Sequence, residues 1–557
     1  ALTLTPALAA LILSDHKPKE GKVFEFINRI IRATRNLYKK LLFGSFRHQK
    51  IVLLVFVIAI GLTGLLYQKL PKSFVPKEDQ GFFYVTVLAP AGSSLEYTTQ
   101  VMNKVEKVLL DDPDINRLFA IAGFSFQGAG PNKATLFPRM TELAERRKKS
   151  QSVDAVVERV RGKLMGIPEA IIIPFPPPAI RGLGRFGGFE ANVIAENSSI
   201  DLNGLSENTG EFLKIANQQK ELKGLFTGFT AGDPQLLVKV DREKAKSLGV
   251  DLTSIFSTLQ VFLGSIYVND FDLAGRIYKV YIQADKEFRS SPDNIKSFYT
   301  RSKNSSGAGS MIPLSNLLEV SETVSPQNIT HFNLFRSAPF NGSAAPGFSS
   351  GQAIEGVERV AKQALPKGMS IAWEGLTYEQ LKSGNQSLII FFLGILFVFL
   401  ILAAQYESFI DPFIILMAVP LAILGGLFGQ LIRGLENDVF CQIGLVMLVG
   451  LASKNSILIV EYANQLRGKG YRLTRAITEA ALTRFRPILM TSLAFILGVW
   501  PLVTAGGAGS ASRHSLGTTV FGGMIVSTVL SLLVVPILYF LINLRRKQVI
   551  QNKDYQD

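Results

Sequence analysis

The sequence predicts a polytopic α-helical membrane protein that carries a large α/β insert between its first two membrane spans. Of the 557 residues, 47% are hydrophobic and 18% are charged, whereas soluble globular domains are about 25% charged. Several apolar stretches reach the length of about 20 residues that a spanning helix needs. Residues 70–385 contain no such stretch and instead show strand and helix patterns.

Six complete spans are predicted. They cover residues 51–69, 386–405, 412–433, 440–463, 487–505 and 517–543. Residues 1–13 are too short to cross a bilayer and are interpreted as the end of a preceding transmembrane helix. Because the chain opens with Ala1 inside hydrophobic sequence, we expect it to be a fragment or a processed product. Glycines at 425, 429, 522 and 523 predict close helix packing.

The distribution of basic residues predicts the orientation of the spans. Lys and Arg concentrate in residues 17–50, in residues 465–486 and in the tail, residues 544–557, and such segments stay on the cytosolic side. The insert then lies outside the membrane, which in a bacterium is the periplasm. These flanks account for much of the net charge of +15. Nucleic-acid binding is not predicted, because no basic stripe with interleaved aromatics is present.

Residues 14–50 are predicted to be a cytosolic linker. Within it, residues 22–46 alternate apolar and basic side chains at helical spacing. This pattern is typical of a helix that lies along the membrane surface. A solvated linker helix is the alternative.

The insert is predicted to contain two βαβ modules with a third module inserted. Strand, helix and strand followed by helix and strand is the order of ferredoxin-like folds. The first module covers residues 70–180, the second covers residues 181–231 and 323–375, and the inserted module covers residues 232–322.

Two loops of the insert have unusual compositions. Gly123–Asn132 is glycine-rich and contains Phe124 and Phe126, and residues 171–189 place Phe175 among prolines. Aromatic side chains on flexible loops give apolar contact area without fixed hydrogen bonds. They predict a promiscuous apolar binding cleft. The alternative is that these phenylalanines fill the core of the module.

Ionisable residues are nearly absent from the predicted spans. Lys454 and Glu461 lie within one span, and a charge at membrane depth costs about 2.5–3.5 kcal/mol, which makes it a functional candidate. Glu461 lies near the cytosolic end and is easily solvated. Thr491, on the next span, is either a proton-relay hydroxyl near Lys454 or a helix–helix hydrogen-bond donor. Lys454 lacks a buried acid in this sequence, so its carboxylate must come from elsewhere.

The sequence predicts no metal site, cofactor or enzyme site. It has one cysteine, Cys441, and four histidines without ligand spacing. It also shows no nucleophile–base set and no paired carboxylates with a supporting motif. A membrane-anchored enzyme is therefore the weakest of the function hypotheses.

Several segments of the chain match one known family in order: ALTLTPALAALIL, LPKSFVPKEDQGFF, GFSFQGAGPN, LGVDLTSI, YVNDF, FNGSAAPGFSSGQAI, AAQYES, GLASKNSILIVEYA, RPILMTSLAFILGVWPL and GGMIVSTVLSLLVVP. By these segments the chain resembles the C-terminal half of a resistance-nodulation-division (RND) multidrug efflux pump of the hydrophobe/amphiphile branch. The resemblance covers essentially the whole chain. The family's full chain consists of two similar halves, so this chain would be one half of a two-fold repeat.

The resemblance implies a transporter of the bacterial inner membrane that exchanges protons for hydrophobic and amphiphilic compounds. It implies a homotrimer that works with a periplasmic adaptor and an outer-membrane channel. Lys454, Thr491 and Arg484 match residues of the proton relay. The paired aspartates of that relay belong to the N-terminal half, which would be a further partner.

The resemblance also implies a drug pocket. Its matching positions are Phe119, Phe124, Phe126, Phe137, Ile173 and Phe175, where Ile173 replaces an aromatic residue. Gly123, Gly128 and Gly130 belong to the loop Gly123–Asn132, which matches a switch loop between two pocket compartments. Residues 232–322 match part of the domain that docks the channel.

Two further positions depart from the family pattern. Ala129, and Phe226 or Thr227, stand where some members carry a basic residue. We therefore expect a less basic pocket.

Another function class stays open at this stage. The absent aspartates are also compatible with an inactive half-pump that acts as a membrane-anchored binding or scaffold protein, or with a gene remnant.

Overall fold

The computed structural model describes residues 4–12, 22–146, 148–303, 310–384 and 386–553. Parts of the predicted N-terminal segment and tail, residues 1–3, 13–21 and 554–557, lie outside the described residues. The chain begins with three helices, α1 (Leu4–Ile12), α2 (Lys22–Arg47) and α3 (Gln49–Lys69).

A first α/β unit follows α3. Its elements are β1 (Tyr84–Leu88), α4 (Leu95–Leu110), β2 (Ile115–Ala122), β3 (Lys133–Met140), α5 (Val153–Leu164) and β4 (Ile171–Phe175). The sheet order is β2-β3-β1-β4, and every neighbouring pair is antiparallel. Ser94 and Ser152 cap the two helices by accepting backbone N–H bonds. Both helices pack on one face of the sheet, where alternate residues such as Val85 and Val87 are fully buried.

The central strand β3 has no counterpart among the strand patterns read from the sequence. It contains Pro138, and proline normally argues against a central strand because it cannot donate to the ladder. Here the Pro138 carbonyl still accepts a bond from the Phe83 N–H, at 3.2 Å. The ladder therefore tolerates the missing donor.

The second and third α/β units are interleaved along the chain. The second unit begins with β5 (Phe189–Ala195), α6 (Leu202–Ala216) and β6 (Leu222–Thr227). The third unit is then inserted with β7 (Pro234–Val240), α7 (Arg242–Ser247), α8 (Leu252–Leu259), β8 (Ile266–Leu273), β9 (Arg276–Ile282), β10 (Tyr299–Arg301), β11 (Met311–Pro313) and β12 (Leu318–Val324). The second unit resumes with β13 (Thr330–Phe332), β14 (Phe335–Ala344), α9 (Ser350–Ala364) and β15 (Met369–Glu374).

The second unit has a five-stranded antiparallel sheet. Its path is β13-β14-β5-β15, and β6 pairs with β14. Helices α6 and α9 cover one face, with Phe212, Phe340 and Val357 fully buried between the layers. Strands β7 and β12 pair with each other at the two ends of the inserted third unit.

The remaining helices follow the α/β units, and most of them form a bundle with α3. They are α10 (Gly375–Ser383), α11 (Gln386–Tyr406), α12 (Ile410–Leu416), α13 (Val419–Arg433), α14 (Val439–Gly468), α15 (Leu473–Val503) and α16 (Ser510–Lys553). Among the described residues, six segments are long and apolar enough to cross a bilayer. They are Gln49–Lys69, Ile389–Tyr406, Ile410–Arg433, Val439–Gly468, Leu473–Val503 and Ser510–Leu544. The structure thus confirms six apolar helices together with α/β sheets.

Two of the predicted spans do not coincide with single helices. Helix α15 begins at Leu473, whereas the predicted span began at residue 487. Pro487 lies inside this helix, and the residues before it are helical because Ile477, Ala480 and Phe485 are buried in the bundle core. The predicted span 412–433 is divided into α12 and α13, and Pro420 occupies the first turn of α13.

Glycines bring α13 and α16 into backbone contact, as the sequence predicted. A Cβ atom added to Gly425 would lie 2.5 Å from the Gly522 carbonyl oxygen, and one added to Gly522 would lie 2.6 Å from that of Gly425. Small residues at such a contact let helix backbones approach closely.

Helix α2 is fixed to the bundle by Tyr38. Its ring stacks on Phe485 at 4.6 Å between centroids, and its hydroxyl donates to the Leu532 carbonyl at 2.9 Å. Pro536 of α16 lies four residues after Leu532 and cannot donate the helical bond that this carbonyl would otherwise accept. Tyr38 therefore satisfies an acceptor that the proline leaves free.

We expect Gly425→Val to destabilise the bundle by about 1–3 kcal/mol, because the added side chain meets backbone atoms of α16. Gly61→Val is the matched control, since a Cβ there meets no atom within 4 Å. Thermal unfolding of the purified protein in detergent measures both variants. Equal midpoints for the two variants would contradict the close contact.

Candidate functional site

The candidate binding site lies on the open face of the first sheet, opposite α4 and α5. Since strand side chains alternate between faces, Tyr84 lies on the face opposite the buried Val85. Tyr84 pairs directly with Phe175 across β1 and β4, and Phe119 pairs with Phe137 across β2 and β3. The sheet register therefore brings four aromatic side chains from four strands to one surface.

These rings form one cluster with the two phenylalanines of the glycine-rich loop. Phe126 lies 5.0 Å from Tyr84, 6.2 Å from Phe137 and 6.4 Å from Phe175, measured between ring centroids. Phe124 contacts Phe126 at 5.8 Å, and Phe119 contacts Phe137 at 5.8 Å. None of these rings belongs to the buried core between the sheet and its helices, within the described residues.

The loop Gly123–Asn132 carries Phe126 back over the sheet. The Gly123 N–H donates to the Lys133 carbonyl at 2.7 Å, and the Gly130 N–H donates to the Gly123 carbonyl at 3.1 Å. Gly123 and Gly128 have φ angles of +81° and +110°, which only glycine adopts without strain. The loop is thus closed at its base by backbone bonds.

The second α/β unit completes the cluster. Phe186 lies 4.5 Å from Phe175, 6.0 Å from Phe126 and 5.7 Å from Phe226. The Phe186 N–H donates to the carboxylate of Glu190 at 2.7 Å, which fixes the segment before β5. The site therefore lies between the two units.

Exposure differs across the cluster. Phe119 is 62% exposed and Phe124 is 38% exposed, whereas Phe175 and Phe186 are buried. Phe126, Phe137 and Ile173 are half-buried. An apolar ligand at this surface would meet aromatic faces and few fixed hydrogen-bonding groups, so the cluster can accept apolar molecules of varied shape.

A cavity of about 240 Å³ lies between the two units, beside the proline segment that follows Phe175. Its wall combines that segment and the backbone of Gly187 and Gly188 with charged side chains. The charged residues are Lys77, Glu78, Asp154, Glu158, Arg161, Lys223 and Glu436. The cavity thus joins apolar and polar surfaces.

The intramembrane candidates lie on α14 and α15. The two helices are joined by Asn455 Nδ2, which donates to Ser492 Oγ at 3.5 Å. Lys454 and Thr491 immediately precede these two residues in the sequence. The Thr491 hydroxyl donates to the Ile488 carbonyl of its own helix at 3.1 Å. The guanidinium of Arg484, two turns away along α15, lies 4.7 Å from the ring centroid of Tyr462.

Lys454 lies on a face of α14 that the described residues leave uncovered. The exposed residues of this face follow the helix repeat, and all except Lys454 are uncharged: Ile443, Val446, Met447, Gly450 and Lys454. Glu461 is half-buried and accepts a bond from Gln465 one turn along, at 3.0 Å. No salt bridge to Lys454 occurs within the described part of the chain.

The structure joins Phe119, Phe124, Phe126, Phe137 and Phe175 in one cluster. Ile173 shares their strand face, because it is two residues before Phe175. Arg484 lies over the ring of Tyr462, which is about two turns after Lys454 along α14.

The sequence analysis missed Tyr84 and Phe186 of the cluster, and Arg185, whose guanidinium donates to the Phe126 carbonyl at 3.0 Å. Strand alternation could have placed Tyr84 opposite the buried side chains of β1, but the pairing with Phe175 was needed to place it in the cluster. Phe186 and Arg185 belong to a loop, and the sequence of this loop has no hydrophobic periodicity from which its path could be predicted.

Comparisons with known proteins agree with this architecture. The model of the AcrB/AcrD/AcrF family matches residues 1–543. The multidrug/solvent efflux pump membrane transporter MepB of Pseudomonas putida is 38% identical over 546 residues, which are 97% of this chain and 51% of the relative. The multidrug resistance protein MdtF of Escherichia coli is 37% identical over 552 residues, which are 97% of this chain and 52% of the relative.

Six membrane-length helices together with α/β sheets fit a membrane transporter of this family. The chain belongs to the AcrB/AcrD/AcrF family, the RND multidrug efflux transporters. It spans about half the length of the relatives above.

We expect the pH dependence of stability to change in Glu190→Gln. Burial raises the pKa of the Glu190 carboxyl, the N–H groups of Phe186 and Arg185 and the Arg185 charge oppose this rise, and Glu374 adds to it. The folded protein therefore retains a proton that the unfolded chain loses, so stability falls as the pH rises from the ordinary glutamate pKa through the raised one. The glutamine keeps an oxygen acceptor without the charge.

Thermal unfolding midpoints between pH 4 and pH 7 measure this difference. The variant should gain stability relative to the parent as the pH rises through that window. Parallel pH profiles for the two proteins would contradict the raised pKa.

Proposed function

We propose that this chain is the C-terminal half of a proton-driven transporter that exports hydrophobic and amphiphilic compounds. The observation that carries the proposal is the combination of an aromatic cleft outside the membrane with a lone lysine at membrane depth. Sequence identity to pumps named for multidrug and solvent efflux supports it. The proposal includes no enzymatic step and no cofactor.

The cleft is the proposed substrate site. Phe119, Phe124, Phe126, Phe137, Ile173 and Phe175 would contact the exported compound, and Tyr84 and Phe186 are added to this set. Their rings supply apolar contact without a fixed polar pattern, which suits ligands that share hydrophobicity rather than shape. The loop with Gly123, Gly128 and Gly130 would control passage through the cleft.

Lys454 is the proposed centre of the proton relay, with Thr491 and Arg484 as neighbours. An ammonium group at membrane depth requires an acidic partner or a cavity with water. The uncovered face of α14 is where carboxylates of a preceding half would bind it. Proton transfer to and from those carboxylates would weaken and restore the pairing with Lys454.

The assembly is part of the same proposal. The transporter would be a homotrimer in the bacterial inner membrane, with the first and second units as ferredoxin-like porter modules in the periplasm. The third unit, residues 234–324, which overlaps the predicted module 232–322, would dock the outer-membrane channel with a periplasmic adaptor. The alternative of an inactive scaffold gains no support from the cleft and the lysine together.

We expect Lys454→Ala in the intact transporter to abolish uncoupler-sensitive export while the protein still inserts and trimerises. The reason is that the acids of the relay lose their cationic partner. Dye export from cells measures the effect, and Lys469→Ala, in the exposed connection after α14, is the matched control. Normal resistance in cells that carry Lys454→Ala would contradict the role of this lysine.

We expect Phe126→Ala to weaken binding of apolar compounds by about 2–10-fold, because one aromatic contact contributes about 0.5–1.5 kcal/mol. Phe256→Ala, at a 53% exposed position of α8, is the control with the same loss of ring area. Fluorescence titration of the purified full-length transporter with an apolar dye gives both affinities. Equal loss in the two variants would argue against the cleft.

A further inference from the structure

Arg185 connects the loop Gly123–Asn132 to the second α/β unit. Its guanidinium donates to the carbonyl of Phe126 at 3.0 Å and lies 3.4 Å from a carboxylate oxygen of Glu374. Glu374 ends β15, and its other oxygen accepts a bond from Asn192 of β5 at 3.0 Å. One side chain thus bridges the loop that carries Phe126 and the edge of the second sheet.

The backbone of the Arg185 segment is itself held in place. The Glu190 carboxylate accepts the N–H groups of both Arg185 and Phe186. Glu190 is buried, and it pairs directly with Glu374 across β5 and β15. Two neighbouring residues of one fixed segment therefore reach the cluster, Phe186 with its ring and Arg185 with its charge.

The bridge adds a restraint at Phe126 to a loop that turns at glycines and is held at its base by backbone bonds. Phe126 touches five other rings, so a movement of its backbone repositions the centre of the cluster: Tyr84, Phe124, Phe137, Phe175 and Phe186. The Arg185 side chain is 51% exposed, and that of Glu374 is 36% exposed. Water can replace these hydrogen bonds when the bridge opens, so the bridge is reversible.

We propose that Arg185 is a positioning residue that latches Phe126 into the aromatic cluster and thereby sets the size of the apolar ligand that the cleft admits. With the latch closed, the rings pack together and favour small apolar molecules. With the latch open, the loop moves away from the second unit and larger molecules enter. The inference rests on the proposed function only in assuming that the cleft binds the exported compounds.

The position of the loop can be measured by cysteine labelling. Ser125 lies within the loop, between Phe124 and Phe126, and is 3% exposed, and the one cysteine of this chain, Cys441, is buried. Ser125→Cys is introduced into the full-length transporter after other reactive cysteines are removed, and its reaction with a water-soluble maleimide is timed. We expect Arg185→Ala to accelerate labelling by about tenfold, since labelling follows local opening.

Matched variants separate the latch from a general loss of structure. Arg181→Ala removes an arginine from the same segment, where it lies over Phe82 at 5.9 Å, and should leave the labelling rate unchanged. Arg185→Lys keeps the charge with a single donor group and should give an intermediate rate. Equal labelling of Arg185→Ala and its parent, or equal acceleration by Arg181→Ala, would overturn the latch.

A binding experiment tests ligand size. The affinities of the purified full-length transporter for the neutral dyes N-phenyl-1-naphthylamine and the larger Nile red are compared in the same variants. We expect Arg185→Ala to shift the ratio of the two affinities by about fivefold in favour of the larger dye. An unchanged ratio would overturn the assignment of size selection. Neither experiment needs transport, whereas failure of the proposed function would leave the parent protein without export.

Discussion

A charged group at membrane depth is the constraint on which the bundle depends. Lys454 lies on the uncovered face of α14, in a row of uncharged residues that recur at the helix repeat. Elsewhere this helix is tightly packed, because Leu448, Ala452 and Ile459 are fully buried. The glycine contact between α13 and α16 fixes their backbones side by side. In the proposed function, an acidic partner from outside this group of helices would offset the cost of the Lys454 ammonium in the bilayer.

The first sheet of the insert uses its two faces for two purposes, a packed core and an aromatic cluster. Helices α4 and α5 cover one side of the first sheet and give it a dry core. The other side carries aromatic rings, and Phe186 of the second unit contacts them at their edge. Because core and cleft lie on opposite faces of one sheet, the cleft can change its rings and their packing while the fold stays intact.

Much of this architecture could be predicted from the sequence, and the failures share a physical cause. Six apolar stretches and the basic flanks predicted the spans, and the glycines predicted where helices meet. Two central strands, β3 and β14, were missed, and both contain a proline, Pro138 and Pro339. Proline has no backbone N–H to donate, but pairing of the other residues with neighbouring strands keeps each strand in its sheet. Such pairing depends on residues distant in the sequence, so no local pattern predicts it. Helix α15 also extends before the predicted span, since tertiary packing carries the helix through Pro487.

The residues of the candidate site likewise divide into those that the sequence predicts and those that it misses. Phe124 and Phe126 can be recognised in the sequence because they are aromatic residues in a glycine-rich loop. Lys454 can be recognised because it is a charged residue in an apolar span. The residue types of Tyr84, Phe186 and Arg185 are ordinary for their places in the sequence. The register of β1 with β4 brings Tyr84 to the site, and the path of the loop before β5 brings Phe186 and Arg185. We propose that a carboxylate from outside this chain pairs with Lys454. The distance from Lys454 Nζ to the nearest carboxylate oxygen in an experimental structure of the full-length transporter tests this pairing. We expect an ion pair of at most about 4 Å in at least one protomer, and a Lys454 side chain that faces lipid in every protomer, with no carboxylate in contact, would contradict it.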